Sequence, residues 1–237
     1  MNEKDIIANA AQEAFREHVE ILPLVTQTGQ IYPATMISGL ECSTAQATEK
    51  VEGDLREKTL IARGREIGRA LACRVDHDIA QKFTDFLVAP AAGGDREKSR
   101  FAQMVDDDLL DAVWQLELTD YKDREMVGVL HPIQGHHLLT DFYRNKSSES
   151  MPTYPRQAHG ELRGIDMCNS VACQLTHDKK SRIGAIFAPQ AIEVRWGEYP
   201  PVPTVSYDGD KIIATMAYTV VVTDPKLGRQ ITTKSEV

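Results

Sequence analysis

The chain has 237 residues, 42% of them hydrophobic and 26% charged, with a formal net charge of -8 at pH 7. That is enough chain for one large domain or two small ones, with the composition of a soluble globular protein. The acidic balance argues against a chain whose main work is gripping a nucleic-acid backbone, which is normally basic. No apolar run approaches the roughly 20 residues of a membrane-spanning helix. The acid-bearing start MNEKDIIANAAQEAF does not read as a secretory signal. Cys42, Cys73, Cys168 and Cys173 form no CxxC pair, so the expectation is reduced, mostly buried thiols in a protein made in a cytosol.

Ile6, Ile7, Ala10, Ala11, Ala14, Phe15 and Val19 recur at spacings of three and four, predicting an amphipathic helix over the first twenty residues that ends at Pro23. Its single apolar stripe suits docking on a neighbouring surface. Residues 24–48 contain Gly29, Pro33 and Gly39 and short β-like runs (Gln30-Ile31-Tyr32, Thr35-Met36-Ile37), the pattern of an extended hairpin or arm. Asp54 and Glu57 then have capping-box spacing. Ile67, Leu71, Val75, Ile79 and Phe83 form an i,i+4 ladder, and a helix reaching about Val88 would be roughly 50 Å long. Arg63, Arg65, Arg69, Arg74 and Lys82 decorate its other faces.

A break at 89–94 precedes a helix from near Ser99 to Leu118, a buried strand Met126 to Leu130 and a helix opened by Pro132 at its first turn. A polar loop from Asn145 to His159 leads to short strands around Gly164, a strand Ile183 to Phe187 and a short helix Ala188 to Glu193. This succession describes a compact α/β module. Lys211 to Thr223 then reads as one long strand of roughly 40 Å, with Ile212, Ala214, Met216, Tyr218, Val220 and Val222 on an unbroken apolar face. Asp208-Gly209 predicts a tight hairpin that folds Val202 to Tyr207 back as its partner. Pro200, Pro201 and Pro203 make that partner an edge strand. A two-stranded ribbon is marginal alone, so its apolar face is expected to cover the stripe of the long helix.

Candidate chemistry is sparse. His131, His136 and His137 lack the HExxH or Cys/His spacing of a zinc site. His131 is instead read as helping to cap the helix at Pro132, and His136 and His137 face different directions. Cys168 and Cys173 are read as core thiols on opposite faces of a strand. Of Asp106, Asp107, Asp108 and Asp111, only Asp107 and Asp111 share a helix face, which reads as a solvated acidic surface rather than a magnesium site. There is no GxSxG, Walker loop or GxGxxG, and Gly93-Gly94 lacks a GK[ST] ending. The expectation is a chain that is not an enzyme and carries no cofactor and no metal.

Taken in order, four stretches resemble tailed-bacteriophage major capsid proteins, whose Hong Kong-type fold is shared with encapsulins. IGRALACRVDHDIAQKF resembles the end of that family's spine helix, and VGVLHPIQGHHLL resembles the strand, His-Pro turn and helix of its apical core. ELRGIDMCNS resembles its glycine-centred region, and FAPQAIEVRW with AYTVVVTDPKLGRQI resembles its C-terminal half. The resemblance covers about residues 20–231. It implies an α+β phage capsid fold with an N-terminal arm (1–25), an extended loop (26–48), a peripheral domain of long spine helix and long β-ribbon (49–96 and 198–224) and an apical α/β domain (97–197 and 225–237).

On the same resemblance, the chain is a major capsid protein assembling through hexamers and pentamers into an icosahedral shell around double-stranded DNA, or else the shell of an encapsulin-like compartment around a cargo enzyme. The implied partners are copies of itself, a portal, separate scaffold or decoration proteins, and packaged DNA held without sequence-specific contacts, with no membrane. The implied location is a virion capsid assembled in the host bacterial cytoplasm. Expected subunit-interface residues are Ile31, Tyr32, Met36, Ile37 and Glu41 in the loop, Arg63, Arg69 and Arg74 on the spine helix, and Phe15 in the arm. Lys50, Lys58 and Asn169 could form the Lys-Asn cross-link of some family members, but ordinary surface lysines and a turn asparagine are the commoner reading.

Overall fold

The structure is a computed structural model and describes residues 3–29, 43–50, 57–89, 106–117, 125–145, 159–162, 164–175, 181–208 and 211–234. Its elements are α1 (Glu3–His18), β1 (Thr26–Gly29), β2 (Ser43–Lys50), α2 (Glu57–Gln81), β3 (Leu87–Val88), α3 (Asp106–Glu117), β4 (Val127–Leu130), α4 (Pro132–Asn145), β5 (His159–Leu162), β6 (Ile165–Asn169), β7 (Ser181–Phe187), β8 (Ile192–Trp196), β9 (Thr204–Asp208), β10 (Lys211–Val222) and β11 (Gly228–Lys234). They gather into two compact units interleaved in sequence. The first is Met1–Pro23, Gln27–Asp78 and Glu193–Val221; the second is Leu24–Thr26, Ile79–Ile192 and Val222–Val237.

In the first unit, α1 has Glu3 and Asp5 in its first turn and Arg16 and His18 in its last, a charge order that suits the helix dipole. Ile7, Ala10, Ala11, Ala14 and Phe15 are buried along its stripe. The surface this stripe docks on is the chain's own α2. A Cβ on Gly64 would lie 2.7 Å from the Ile7 carbonyl oxygen, and one on Gly68 would run into the Ala11 carbonyl. The two glycines, four residues apart on one face, thus let the helix backbones approach where any side chain would hold them apart.

The sheet of this unit has the order β1-β8-β10-β2, with β9 also paired to β10. Ile212, Ala214, Met216, Tyr218 and Val220 of β10 are buried, as their alternation predicts, whereas Val222 is half-buried. The ribbon does face the helix: the Tyr218 hydroxyl donates to Asp78 Oδ2 of α2 at 2.6 Å. Trp196 of β8 packs between Phe15 (6.1 Å, edge-on) and Tyr218 (5.6 Å).

Two strand expectations change here. Register pairs Lys211 with Asp208, so Asp208 lies within the ladder of β9 rather than in the turn expected at Asp208-Gly209, of which Gly209 lies outside the described residues. The ribbon also gains a third strand: β2 runs antiparallel along β10 from Lys211↔Lys50 to Tyr218↔Ser43. Its sequence, STAQATEK, has no large apolar residue to signal a strand, so backbone pairing defines it.

The second unit is a six-stranded sheet of order β3-β11-β7-β4-β6-β5. β4 is buried at every position, with β6 parallel on one side and β7 antiparallel on the other. Leu109, Ala112 and Leu116 of α3 and Leu138 of α4 join Leu130, Met167, Ile186 and Ile231 in one core cluster. Gly164, between β5 and β6, has φ of +78°, the left-handed conformation that favours glycine.

Four further expectations are corrected. The long helix stops at Gln81 rather than near Val88; a 3₁₀ turn (Lys82–Asp85) follows, and Leu87–Val88 pair in parallel with β11. Here Phe83, Phe86 and Phe187 pack on one another at 5.6–6.4 Å, an arrangement that periodicity does not reveal. The expected helix Ala188 to Glu193 is a single 3₁₀ turn (Pro189–Ala191), followed by β8, whose apolar residues alternate in IEVRW. Cys73 is exposed on α2 rather than buried. Cys173 lies beyond the end of β6, where its N–H bonds the Ser170 carbonyl, so it does not share a strand with Cys168 although both are buried. The capping pair Asp54–Glu57 cannot be placed, since Asp54 lies outside the described residues.

Gly68→Val is expected to lower the free energy of unfolding by about 1–3 kcal/mol through overpacking against the α1 backbone, read as a reduced urea midpoint.

Candidate assembly surfaces

The basic face of α2 is largely answered by acids of its own unit. Arg63 lies 3.4 Å from Glu66, Arg65 3.7 Å from Glu13 of α1, and Arg74 Nε 3.2 Å from Asp78. The exposed pairs Arg63–Glu66 and Arg65–Glu13 contribute about 0–1 kcal/mol each, whereas Asp78 of the third is buried. Their effect is to neutralise the face and to orient the guanidiniums. Asp78 holds both Arg74 and the Tyr218 hydroxyl, and burial, reinforced by that hydrogen bond, raises the Tyr218 pKa so the phenol stays protonated.

Of the expected interface residues, Arg63, Arg69 and Arg74 thus share α2, and Arg69 is exposed. Phe15 is 2% exposed, inside the first unit against Trp196. Ile31, Tyr32, Met36, Ile37 and Glu41 lie outside the described residues. Lys58 is exposed on α2, and Asn169 ends β6.

Two surfaces escaped the sequence reading. Between α1 and the start of α2 runs a groove of about 570 Å³, with Ile6, Ala10 and Ile61 along it and Glu13, Glu17, Arg16 and Arg65 at its rim. On α3, Trp114 is 60% exposed and Leu110 38%, four residues apart and so on one face. The signal for this ridge was present: both residues fall off the stripe formed by Leu109, Ala112 and Leu116.

The second unit is organised at the start of α4 by a reciprocal cap. His131 Nδ1 accepts the Ile133 N–H at 3.2 Å, and Gln134 Oε1 accepts the His131 N–H at 2.8 Å, with Pro132 at the first helical position. Gln134, at the third helical position, makes the backward half of a capping box, while His131, at the N-cap, accepts from the second helical residue, which bears out the capping role read for His131. Gln134, wholly buried, donates its amide to the carbonyls of Arg182 in β7 (3.3 Å) and Ile231 in β11 (3.5 Å). Burial, with Arg182 nearby, lowers the His131 pKa to about 4, so Nδ1 is free to accept. His136 is exposed and His137 buried, facing different ways as expected. Among the described residues, no group of three or more His, Cys, Asp or Glu side chains is placed to hold a metal ion, and no helix is long and apolar enough to cross a membrane.

No family model and no curated protein matches the sequence. Among solved structures, the fold is similar to a virus-like particle from Pyrococcus furiosus (TM-score 0.61, 10% identity, covering 98% of this chain and 100% of the other). It is also similar to an encapsulin complex from Synechococcus elongatus (0.58, 9% identity, 89% and 85%) and to the capsid of Ralstonia phage GP4 (0.56, 10% identity, 90% and 88%). The chain therefore has the α+β fold that phage capsid proteins and encapsulins share.

His131 must be neutral to cap α4. Its folded pKa lies below the ordinary 6.5, so its contribution is present above about pH 6.5 and is lost as pH falls toward about 4. His131→Asn keeps a capping oxygen that does not titrate. The expected result is a smaller drop in melting temperature between about pH 7 and about pH 5 than in the natural chain.

Proposed function

We propose that this chain is a major capsid protein, a structural subunit rather than an enzyme, that assembles through hexamers and pentamers into an icosahedral shell around double-stranded DNA. The observation that carries the reading is coverage: the match to a shell-forming chain extends over 98% of this chain and all of the other. In this reading residues 1–25 form the arm, 26–48 the extended loop, 49–96 with 198–224 the peripheral domain, and 97–197 with 225–237 the apical domain. Ile31, Tyr32, Met36, Ile37 and Glu41 lie over Arg63, Arg69 and Arg74 of the next subunit, and α1, seated through Phe15, presents its outer side to neighbours. The Leu110–Trp114 ridge is a further contact. Many moderate contacts repeated by symmetry then hold the shell closed. Assembly takes place in a host bacterial cytoplasm with a portal and separate scaffold or decoration proteins. The acidic balance keeps the shell from sticking to the DNA it encloses.

The groove between α1 and α2 favours one second reading, an encapsulin-like compartment. There, an apolar segment of a cargo enzyme would lie along Ile6, Ala10 and Ile61, residues that line the groove.

Sedimentation and electron microscopy of the chain expressed alone, and again with candidate scaffold proteins, test both readings. Shells, tubes or capsomer rings are the expected result. Nucleic acid inside supports the first reading and a co-purified enzyme the second, whereas a monodisperse monomer under every condition rejects both. Trp114→Glu is expected to raise the concentration needed for assembly by roughly tenfold, the effect of removing one desolvated aromatic contact, while leaving the subunit's melting temperature unchanged.

A further inference from the structure

Arg229 stands at the start of β11 and is only 6% exposed, although its side chain carries a permanent charge. Among the described residues no acid answers that charge; the guanidinium is met by backbone carbonyls. Nη1 donates to the carbonyls of Lys226 at 3.0 Å and Gly228 at 2.8 Å, and Nη2 donates to that of Gln115 at 3.2 Å. The first two belong to the 3₁₀ turn Pro225–Leu227 and the residue after it. That turn is itself fixed, since Asp224 Oδ1 accepts the Lys226 N–H at 2.9 Å and the Leu227 carbonyl accepts the Ala188 N–H at 3.0 Å. Gln115 lies in the last turn of α3, where carbonyls run out of intrahelical donors and the helix dipole favours a cation. Leu109, Ala112 and Leu116 hold α3 in the core by apolar contact, which has no direction. The hydrogen bond from Arg229 supplies one. It falls one residue from Trp114, which with Leu110 forms the exposed ridge. An apolar side chain could fill the same space without burying a charge, so the fork of donors is what arginine contributes here.

We propose that Arg229 is a positioning residue for assembly: it ties the last turn of α3 to the start of β11 and so holds Leu110 and Trp114 in the orientation that a second copy of the chain meets. This rests on the reading of the ridge as a contact between subunits. Without the guanidinium the apolar stripe of α3 still packs, but the turn that carries Trp114 opens more often. A contact made by a turn that must first be ordered is weaker by the cost of ordering it, so the loss appears in association as well as in local stability.

The test uses the full chain and Arg229→Met, which keeps a long side chain and removes every donor. In the unassembled subunit, amide exchange at Trp114, Gln115 and Leu116 is compared with exchange in β4. Protection of these three amides is expected to fall roughly tenfold relative to β4, the effect of losing one charge-assisted hydrogen bond. The concentration needed for assembly should rise by several-fold. A double-mutant cycle with Trp114→Glu then separates positioning from general weakening. Arg229→Met should add almost nothing once Trp114 is gone, whereas a merely structural defect would add in full. Should Arg229→Met fail to fold, Arg229→Lys takes its place in the cycle with a smaller effect in the same direction, because an ammonium lacks the planar fork. Unchanged protection relative to β4, or an assembly defect of equal size with and without Trp114→Glu, overturns the proposal. If Trp114→Glu alone leaves assembly unchanged, the ridge is no contact and the proposal falls with it; if that variant weakens assembly and the Arg229 variants do not, the proposal falls alone.

Discussion

The close approach of α1 and α2 at Gly64 and Gly68 is the constraint on which the first unit depends. Because these positions carry no side chain, the alanine-rich stripe of α1 reaches the α2 backbone directly. Phe15 can then meet Trp196, Trp196 meets Tyr218, and Tyr218 returns to Asp78 on α2 through its hydroxyl. The aromatic chain thus runs from α1 through β8 and β10 back to the helix on which α1 rests. Each contact is ordinary in strength; its value lies in fixing the spacing of the next.

The second unit is held by a different device. Its core is apolar and contiguous, but the register of strand against helix is set by one buried amide. Gln134 satisfies the N-cap of α4 and two strand carbonyls at once. A buried polar group with all its partners is specific in a way that apolar packing is not, because a one-residue slip would leave several groups unpaired. Histidine can take the N-cap position here because it is held neutral.

These interiors leave functional interest at the surface. The α2 arginines, expected from the sequence to lie at a subunit interface, are mostly paired with acids within the first unit. The exposed Leu110–Trp114 ridge and the groove beside α1 are more distinctive, being apolar surface where a lone subunit gains nothing by it.

The sequence by itself determined the elements whose residues repeat with the period of their structure. These are the stripe of α1, the ladder of α2, the alternating face of β10, the buried β4 and the proline-opened α4, and the order of four short motifs was enough to name the fold. Local sequence was silent or misleading where structure is set by partners far along the chain. STAQATEK becomes a strand because β10 offers it a backbone ladder. Leu87–Val88 leave the helix because β11 and the phenylalanine cluster hold them, and the turn after Phe187 gives way to β8 because a sheet position is open to Trp196. The same holds for Phe15 and Arg74: their residue types were visible from the start, but only tertiary structure decided which is core and which is paired, because burial and counter-charge belong to the neighbours rather than to the residue.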